Sequence, residues 1–318
     1  MSFISAVARM NIDLMYSGMG RLPQEGEEIY AADFDIQLGG GPVATLTNLQ
    51  RLNVPVRILT FLGQDMFSAF GAAELTRHGV EYHNLHKTDG VPVNISTVMI
   101  TDRDRTFVSY NGARENFSEA LTEAAWELMR GSKIVEMQPG FLDLYKRLKR
   151  EGTILIFDLG WEDDLSFRKY RAYFELADYF TPNLKEALHL TGQTDPLEAL
   201  KTLGEWFPRP IVKMGNRGCL IRDRDEIFLV PHITEFQAVD ATGAGDAFLS
   251  GFMYGLYHHA GFQKSILYGN ITGGLAVTEI GCLTASVSEL DLFAYTNRYA
   301  DRIIKLDPAK KLPDFSGS

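Results

Sequence analysis

Short apolar runs alternate with longer stretches of helical periodicity along most of this chain, and this order restricts the possible folds more than any other feature. The apolar runs have the length of buried strands and lie at Phe3–Met10, Val56–Phe61, Lys133–Met137, Thr153–Asp158, Tyr179–Phe180 and Ile211–Met214. The helical stretches between them are Val43–Leu52, Phe67–His78, Leu121–Arg130, Leu142–Arg150, Leu165–Ala177, Asn183–Thr191 and Pro196–Trp206. Such a βαβα order predicts an α/β fold in which a mostly parallel sheet has helices on both faces.

Two segments early in the chain depart from this order. Glu28–Leu38 and Val93–Tyr110 alternate apolar and polar residues, which is typical of strands with one solvent-exposed face. We expect a small antiparallel sheet there, a lid formed by segments at about 11–38 and 91–113 and inserted in a single α/β domain over 1–318. Asp102–Arg105 predicts a hairpin turn, although Arg105 could alternatively reach an anionic ligand. Residues 289–306 predict a final helix.

Charge and cysteine content exclude several classes of protein. The chain has 41 acidic and 31 basic residues and a formal charge of −10, which argues against a protein that follows a nucleic-acid backbone. Cys219 and Cys282 form no Cys-x-x-Cys pair and no zinc spacing, a usage that fits a reducing compartment. The N-terminus lacks signal-peptide features, and no window of about 18 apolar residues could span a membrane. We therefore expect a cytoplasmic protein without a membrane segment.

The strongest motif is Ala238–Phe248, with the sequence AVDATGAGDAF. A short strand is predicted to end at Asp240, a glycine-rich turn follows, and Asp246 opens a long apolar helix. The turn and the helix N-terminus would direct backbone amides at one point, which suits a phosphate group, and a carboxylate at the rim could accept a proton. Judged from these residues alone, an ordinary loop between a strand and a helix is as good an interpretation as a phosphate site. The spacing fits neither the P-loop nor the dinucleotide-binding fingerprint.

Three further motifs have both a structural and a functional interpretation. Thr181–Ala187 (TPNLKEA) predicts a capping box between Asn183 and Glu186, which the residues alone favour, yet the same pair could also hold Mg²⁺ through water. The Gly39–Gly41 run precedes the first major helix and is either a turn or a close backbone approach to a ligand. Asn11 and Asp13 follow the first strand, where a ligand's hydroxyl groups or a simple turn would explain them.

Together these motifs resemble those of the ribokinase-like (PfkB) family of carbohydrate kinases, whose second signature is similar to TGAGD at Thr242–Asp246. The resemblance extends over nearly the whole chain in the family's order and also includes Arg21–Glu28, Gly63–Asp65, Lys213–Gly218 and Gly269–Gly281. It implies a three-layer ribokinase-like fold with a small β lid. It also implies an ATP-dependent sugar kinase that uses Mg²⁺, and a homodimer formed through the lids.

The resemblance also implies roles for individual residues. Asp246 would be the general base, and the backbone amides of Gly243, Ala244 and Gly245 would stabilise charge on the transferring phosphoryl group. The residues implied to bind ATP are Asn183, Lys213, Gly215, Gly218 and Asn270. Glu186 with Asn183 would hold Mg²⁺ through water, and Asp240 with Thr242 would hold a monovalent cation such as K⁺. Asn11, Asp13, Gly39, Gly40 and Gly41 would bind the sugar.

Some residues depart from the family's pattern, among them Lys213, which replaces a frequent threonine although lysine is also seen there. Where sugar kinases commonly have Gly-Gly-x-x-x-Asn, this chain has Ala44, so the sugar site lacks one amide. Cys282 replaces a usual alanine in the loop that begins at Gly281, so we expect both cysteines to be small core residues rather than reactive thiols. The resemblance therefore does not determine the acceptor of the phosphoryl group. One alternative is a primary hydroxyl of a small sugar or sugar acid of ribose, fructose or 2-keto-3-deoxygluconate type, and another is a nucleoside. A non-catalytic sugar- or nucleotide-binding regulator is a third alternative, although it would have no chemical need for the retained Asp246.

Overall fold

The computed structural model describes residues 2–86, 90–112, 118–307 and 312. Its strands are β1 (Phe3–Val7), β2 (Asn11–Met19), β3 (Asp33–Leu38), β4 (Val56–Thr60), β5 (Glu81–Asn84), β6 (Asn94–Thr101), β7 (Arg105–Tyr110), β8 (Ser132–Met137), β9 (Ile154–Phe157), β10 (Tyr179–Phe180), β11 (Ile211–Lys213), β12 (Cys219–Asp223), β13 (Glu226–Val230) and β14 (Ile304–Leu306). Its helices are α1 (Pro42–Arg51), α2 (Met66–Arg77), α3 (Glu119–Met129), α4 (Leu142–Arg150), α5 (Phe167–Phe174), α6 (Leu184–Thr191), α7 (Pro196–Leu203), α8 (Ala244–Tyr257), α9 (Phe262–Ala276) and α10 (Glu289–Tyr299). Within the described ranges, none of these helices combines the length and the apolar character that crossing a membrane requires.

The largest sheet has the order β10-β9-β8-β1-β4-β5, and every neighbouring pair is parallel. Ile134 and Ile156 of this sheet belong to one hydrophobic core, whereas the adjacent residues Val135 and Phe157 belong to a second. Because side chains alternate across a strand, the two cores lie on opposite faces of the sheet. Helices α1, α8 and α9 contribute to the first core, and α3, α4 and α7 contribute to the second. The predicted three-layer α/β fold is confirmed.

A second sheet, called the mixed sheet below, has the order β3-β2-β6-β7. Its outer pairs are antiparallel but β2 and β6 are parallel, so the prediction of a wholly antiparallel sheet is wrong in the central pairing. The parallel pairing follows from the connections, because β2 follows β1 and β6 follows β5, two parallel strands of the central sheet. Segment Glu28–Leu38 is a strand only from Asp33 onward, and 11–19 is a strand that the sequence did not reveal. Position 113 lies outside the described residues.

Strands β11 to β14 form an antiparallel sheet that the sequence analysis missed. We predicted Ile211–Met214 as a further parallel strand, but β11 pairs antiparallel with β12, and a single parallel bridge joins Lys213 to Asn183. The β12–β13 hairpin turns at Arg224, which has a φ of 57°. Asn or Gly normally occupies such a turn, so the sequence carries no hairpin signal here.

Two further predictions about the C-terminal third need correction. The helix predicted over 289–306 ends at Tyr299, because Ile304–Leu306 instead pairs with β13 as β14. The strand predicted to end at Asp240 is absent, since the backbone amides of Val239 and Asp240 both donate to the carbonyl of Val277, at 2.7 and 3.1 Å. Helix α8 is therefore entered from an irregular segment. Both cysteines are buried and free, as predicted.

Candidate active site

The motif residues lie beyond the carboxyl ends of the central strands. Asn11, Asp158 and Asn183 follow β1, β9 and β10 respectively. Open parallel α/β sheets bind their ligands at this edge. A surface depression of about 560 Å³, lined in part by Phe3 and Val56, lies at the amino ends of β1 and β4 and is therefore at the opposite edge.

Asp246 lies in the first turn of α8, whose N-cap is Gly243. Gly243 has a φ of 73°, and a Cβ there would lie 2.7 Å from the Cα of Cys282, so glycine is required. The glycine run before α1 meets the same carboxyl. A Cβ on Gly40 would lie 2.5 Å from Oδ2 of Asp246, and the Gly41 backbone amide lies close enough to lower the pKa of this carboxyl. The structure thus brings the two glycine motifs together around Asp246.

Asp13 faces the same backbone segment from β2. Its carboxyl is buried, and a Cβ on Gly39 would lie 2.7 and 2.8 Å from its two oxygens. Within the described part of the chain, no group donates a hydrogen bond to this carboxyl. Burial raises the pKa of Asp13 to about 6. A buried acceptor without a donor is costly, so this carboxyl is suited to a ligand that brings hydroxyl groups.

The pKa of Asp246 lies near neutrality. Burial raises it to about 7, and the neighbouring carboxyls of Asp158 and Asp13 add to the rise. The Gly41 amide and the Lys213 ammonium group act in the opposite direction. A carboxyl with such a pKa can hold or release a proton near pH 7, which is the property that a general base needs.

The side chain of Lys213 lies among the acidic side chains of the site. Its Nζ lies 3.4 Å from Oδ1 of Asp158 and 3.6 Å from the position that a Cβ on Gly245 would take. Burial would lower the pKa of Lys213, but the carboxyls of Asp158, Glu186 and Asp246 outweigh this effect and raise it. Lys213 is therefore an ammonium group beside the N-terminus of α8, where it can attract phosphate.

Two acidic residues of this site were missed by the sequence analysis. Asp158 directly follows β9 and accepts a hydrogen bond of 2.5 Å from the Thr181 hydroxyl. Glu136 lies inside β8 with 1% of its surface exposed, and its Oε2 has no hydrogen-bond partner among the described residues. Burial, and then the charges of Asp246 and Asp158, raise the pKa of Glu136 well above its ordinary value. Two features of the sequence could have indicated these residues. Asp158 is an acidic residue at the end of a predicted buried strand, and Glu136 is the single acidic residue within another predicted strand.

Asn183 and Glu186 form the predicted capping box of α6. Oδ1 of Asn183 accepts from the Glu186 amide at 3.0 Å, and the Glu186 carboxyl accepts from the amide and the side chain of Asn183 at 2.8 and 2.7 Å. Burial raises the pKa of Glu186. A carboxylate has about four lone-pair positions, so this one can still accept from water. The capping and metal-binding interpretations are therefore compatible.

The side-chain amide of Asn11 is used within the protein. Its Nδ2 donates to the Gly40 carbonyl at 3.0 Å, and its Oδ1 accepts from Nδ2 of Asn94 at 2.8 Å. Asn94, which the sequence analysis missed, also accepts from the Gly112 amide at 3.0 Å. Asn11 thus fixes the glycine run against the mixed sheet, and the second hydrogen on its Nδ2 remains available for a ligand.

The glycines and the asparagine predicted to bind ATP lie together beside the antiparallel sheet. Gly215 begins a single 3₁₀ turn directly after β11, and Gly218 follows it with a φ of 84°. Asn270 on α9 donates to the carbonyls of Val230 and Pro231 at 3.1 and 2.8 Å. The same Val230 carbonyl packs so closely against Gly218 that no Cβ fits there.

Asp240 and Thr242 are also adjacent, and protein donors surround the Asp240 carboxyl. Its Oδ1 accepts from the amide and hydroxyl of Thr242 at 3.0 and 2.7 Å, and its Oδ2 accepts from the Gly281 amide at 3.0 Å. Arg105 forms an ion pair with the same carboxyl. Across the described ranges, no three His, Cys, Asp or Glu side chains are grouped as a direct metal site.

Comparison with known proteins agrees with this fold. Residues 1–289 match the family described as pfkB family carbohydrate kinase. A ribokinase of Lactococcus lactis subsp. lactis is 23% identical over 312 residues, which cover 93% of this chain and 100% of that protein. A nucleoside kinase of Methanocaldococcus jannaschii has a TM-score of 0.76 at 18% identity and covers 94% of this chain and 99% of its own. An E. coli protein assigned as a ribokinase II and solved with ATP and Mg²⁺ has a TM-score of 0.75 at 22% identity, with coverage of 94% and 100%.

The fold and the family match together define an ATP-dependent kinase. The chain belongs to the PfkB family of carbohydrate kinases, since the match extends over 289 of its 318 residues. The resemblance inferred from the TGAGD block and its companion motifs is confirmed.

Proposed function

We propose that this protein transfers the γ-phosphoryl group of ATP to a primary hydroxyl of a small neutral sugar of ribose or fructose type. The observation that carries this proposal is that two carboxyls, Asp13 and Asp246, meet at the Gly39–Gly41 backbone. A sugar hydroxyl would supply the donor that Asp13 lacks among the described residues. The similarity to a ribokinase supports the same class of acceptor.

In the proposed reaction, Asp246 accepts the proton of the acceptor hydroxyl while the hydroxyl oxygen forms a bond to the γ-phosphorus. The bond from that phosphorus to the bridging oxygen breaks, and its electron pair leaves with ADP. Negative charge on the transferring group would be stabilised by backbone amides at the N-terminus of α8. Within the described chain, the amides of Gly243 and Gly245 have no acceptor, and that of Ala244 makes only a long bond of 3.4 Å to Ala241.

The residues present fit ATP with Mg²⁺. The Lys213 ammonium group lies beside the amides of α8, and Gly215, Gly218 and Asn270 would form the nucleoside side of the site. Glu186 and Asn183 would hold Mg²⁺ through water, as this ion usually keeps several water ligands. Bound Mg²⁺ supplies neutralisation of the phosphate charge.

The charges around the acceptor position favour a neutral sugar over a sugar acid. Asp13 and Asp246 both face this position, and Arg105 is already paired with Asp240. An acid of 2-keto-3-deoxygluconate type would bring a further negative charge next to these two carboxyls. Ala44 in α1 is fully buried, and its methyl side chain provides no donor where related kinases commonly have an asparagine.

A nucleoside is the second candidate acceptor because the mixed sheet exposes aromatic side chains. Phe107 and Tyr110 are 46% and 53% exposed, and the rings of Tyr16 and Phe34 lie 5.0 Å apart. Exposed rings of this kind can stack on a base. The shared fold of the M. jannaschii nucleoside kinase is consistent with this candidate. A non-catalytic regulator fits less well, because it would not need a carboxyl with a pKa near 7.

We also propose that the protein forms a homodimer through the mixed sheet. Strands β3 and β7 are its edges, and Phe34, Phe107 and Val108 on these edges are exposed. Exposed apolar edge strands tend to be covered by a partner.

The direct test of the proposed function is ADP release from Mg²⁺-ATP with a panel of sugars, sugar acids and nucleosides. We expect turnover with neutral pentoses or hexoses that bear a primary hydroxyl. Turnover with nucleosides alone would favour the second candidate, and ATP binding without turnover on any member would favour the regulator.

The pH profile of kcat/KM tests the protonation state of the site. Because the pKa values of Asp246 and Asp13 are raised to about 7 and 6, both carboxyls hold protons in acidic solution. A protonated Asp246 cannot accept the hydroxyl proton, so we expect kcat/KM to fall by about tenfold per pH unit below pH 6 and to level off above pH 8. A flat profile from pH 5 to pH 8 would contradict this role.

The variant Glu186→Gln separates metal binding from helix capping. Gln preserves a capping box, so we expect little change in Tm. Loss of the negative charge should raise the Mg²⁺ concentration for half-maximal activity by about tenfold. The matched control is Asp291→Asn in the Ser288 capping box of α10. Equal Mg²⁺ titrations for the two variants would contradict the metal role.

A further inference from the structure

Arg105 connects the mixed sheet to the turn that precedes α8. It is the first residue of β7, and its guanidinium group forms an ion pair with the carboxyl of Asp240, 135 residues away in the chain. The Arg105 side chain is 29% exposed and that of Asp240 is 8% exposed. Because water is partly excluded, this pair interacts more strongly than a fully exposed one.

The carboxyl of Asp240 holds two backbone segments together. One oxygen accepts from the Thr242 amide in the turn that enters α8, and the other accepts from the Gly281 amide in the loop after α9. Burial would raise the pKa of Asp240, but the donors of Thr242 and Gly281, followed by the charge of Arg105, lower it. Asp240 is therefore an ionised carboxylate at the junction of three chain segments.

The two segments support the amides proposed to bind the transferring phosphoryl group. Gly243, the N-cap of α8, packs directly against Cys282 in the second segment. Gln37 of β3 also contacts this segment at Gly281. The mixed sheet therefore contacts both segments: Arg105 of β7 contacts Asp240 in the segment that enters α8, and Gln37 of β3 contacts the loop after α9.

Arg105 is the cation that balances a set of acidic groups at this point. After burial, the carboxyls of Asp246, Asp13 and Asp240 raise the pKa of the Cys282 thiol, and Arg105 lowers it. Lys213 is paired with Asp158 instead. Without Arg105, the Asp240 carboxylate would be left buried without its ionic partner, which is a costly arrangement.

We propose that Arg105 is a positioning residue for phosphoryl transfer, a built-in cation that holds Asp240 and thereby keeps the amides of Gly243 to Gly245 in place. This inference rests on the proposed function. It also makes K⁺ dispensable, because the guanidinium group already binds the carboxylate at which the family resemblance implies a monovalent cation.

The test compares Arg105→Ala with the control Arg103→Ala, in the turn that precedes β7, and with the conservative variant Arg105→Lys. Turnover is measured in choline, K⁺ and millimolar guanidinium buffers. We expect the wild type and R103A to turn over equally in choline and K⁺. R105A should lose about 10²-fold in kcat with little change in KM for ATP, and should regain activity with K⁺ or guanidinium, while R105K retains most activity.

Hydrogen exchange at the Thr242 and Gly281 amides provides a readout that does not require turnover. We expect faster exchange in R105A and slower exchange again when guanidinium is added. Three results would overturn the inference: a wild type that requires K⁺, an R105A variant as active as the wild type, or a loss of activity and of exchange protection that neither cation restores. A wild type without turnover on any acceptor, but with the expected exchange pattern, would instead refute the proposed function alone.

Discussion

Replacing Asp246 with asparagine should lower kcat by about 10²–10⁴-fold and leave the Kd for ATP within a few-fold of the wild-type value. The side chain keeps its size, and its amide oxygen can still face the Gly41 backbone amide. What it loses is the ability to take the proton of the acceptor hydroxyl. Coupled ADP release gives kcat, and calorimetry gives the Kd for ATP. Turnover near the wild-type rate would contradict the role of Asp246 as general base.

The same variant should be at least as stable as the wild type, which distinguishes lost chemistry from lost folding. The pKa of Asp246 is raised from 3.8 to about 7, so between these values the folded protein holds a proton that the unfolded chain has released. The free energy of unfolding contributed by this group therefore falls as the pH rises through this window. D246N removes that penalty, and we expect it to gain about 4 kcal/mol over the wild type at pH 8 and about 2 kcal/mol at pH 5. Chemical denaturation at both pH values measures the difference.

Gly40→Ala should lower kcat/KM by about 10²-fold, because misplacing a reacting group by about 1 Å has an effect of this size. A Cβ on Gly40 would lie 2.5 Å from Oδ2 of Asp246, which is closer than van der Waals contact allows. Either the carboxyl or the glycine run must move, and the base is then displaced from the acceptor hydroxyl.

Gly20→Ala is the matched control for this substitution. A Cβ on Gly20 meets no atom within 4 Å, so we expect kcat/KM within about twofold of wild type. Equal activity of G40A and G20A would show that the backbone does not need to approach Asp246 so closely. Circular dichroism of both variants would show whether folding is preserved.

The central layer of the fold could be predicted because its signals are local. Strands such as Lys133–Met137 have the apolar run of a buried strand, and helices such as Leu142–Arg150 have the apolar period of a helix with one buried face. The observed bounds of both differ from the predicted ones by at most one residue. The capping box of Asn183 and Glu186 is equally local, because both partners lie within one helical turn. In these cases, neighbouring residues determine the structure.

The antiparallel sheet could not be predicted because its signals are not local. The β12–β13 hairpin turns at Arg224 without the glycine or asparagine that usually marks such a turn. The end of the predicted final helix becomes β14 because it pairs with β13, which is about 80 residues earlier in the chain. No pattern within 289–306 contains that information.

In the candidate site, too, local features could be predicted from the sequence and contacts between distant segments could not. The sequence indicates the Asp246 motif and the Gly39–Gly41 run separately, but only the fold shows that a Cβ on Gly40 would strike Asp246. Asp158 and the Arg105–Asp240 ion pair were missed or assigned elsewhere, because their partners are distant in the chain. Residue types suggest chemistry, whereas the meeting of two carboxyls depends on tertiary packing.

The most direct test of the central claim is a crystal structure with a turned-over acceptor sugar and a non-hydrolysable ATP analogue. We predict that the primary hydroxyl lies within about 3 Å of the Asp246 carboxyl, with a second hydroxyl at Asp13 and the γ-phosphate at the amides of Gly243 to Gly245. A sugar bound away from Asp13 and Asp246, or a γ-phosphate away from the N-terminus of α8, would contradict the account.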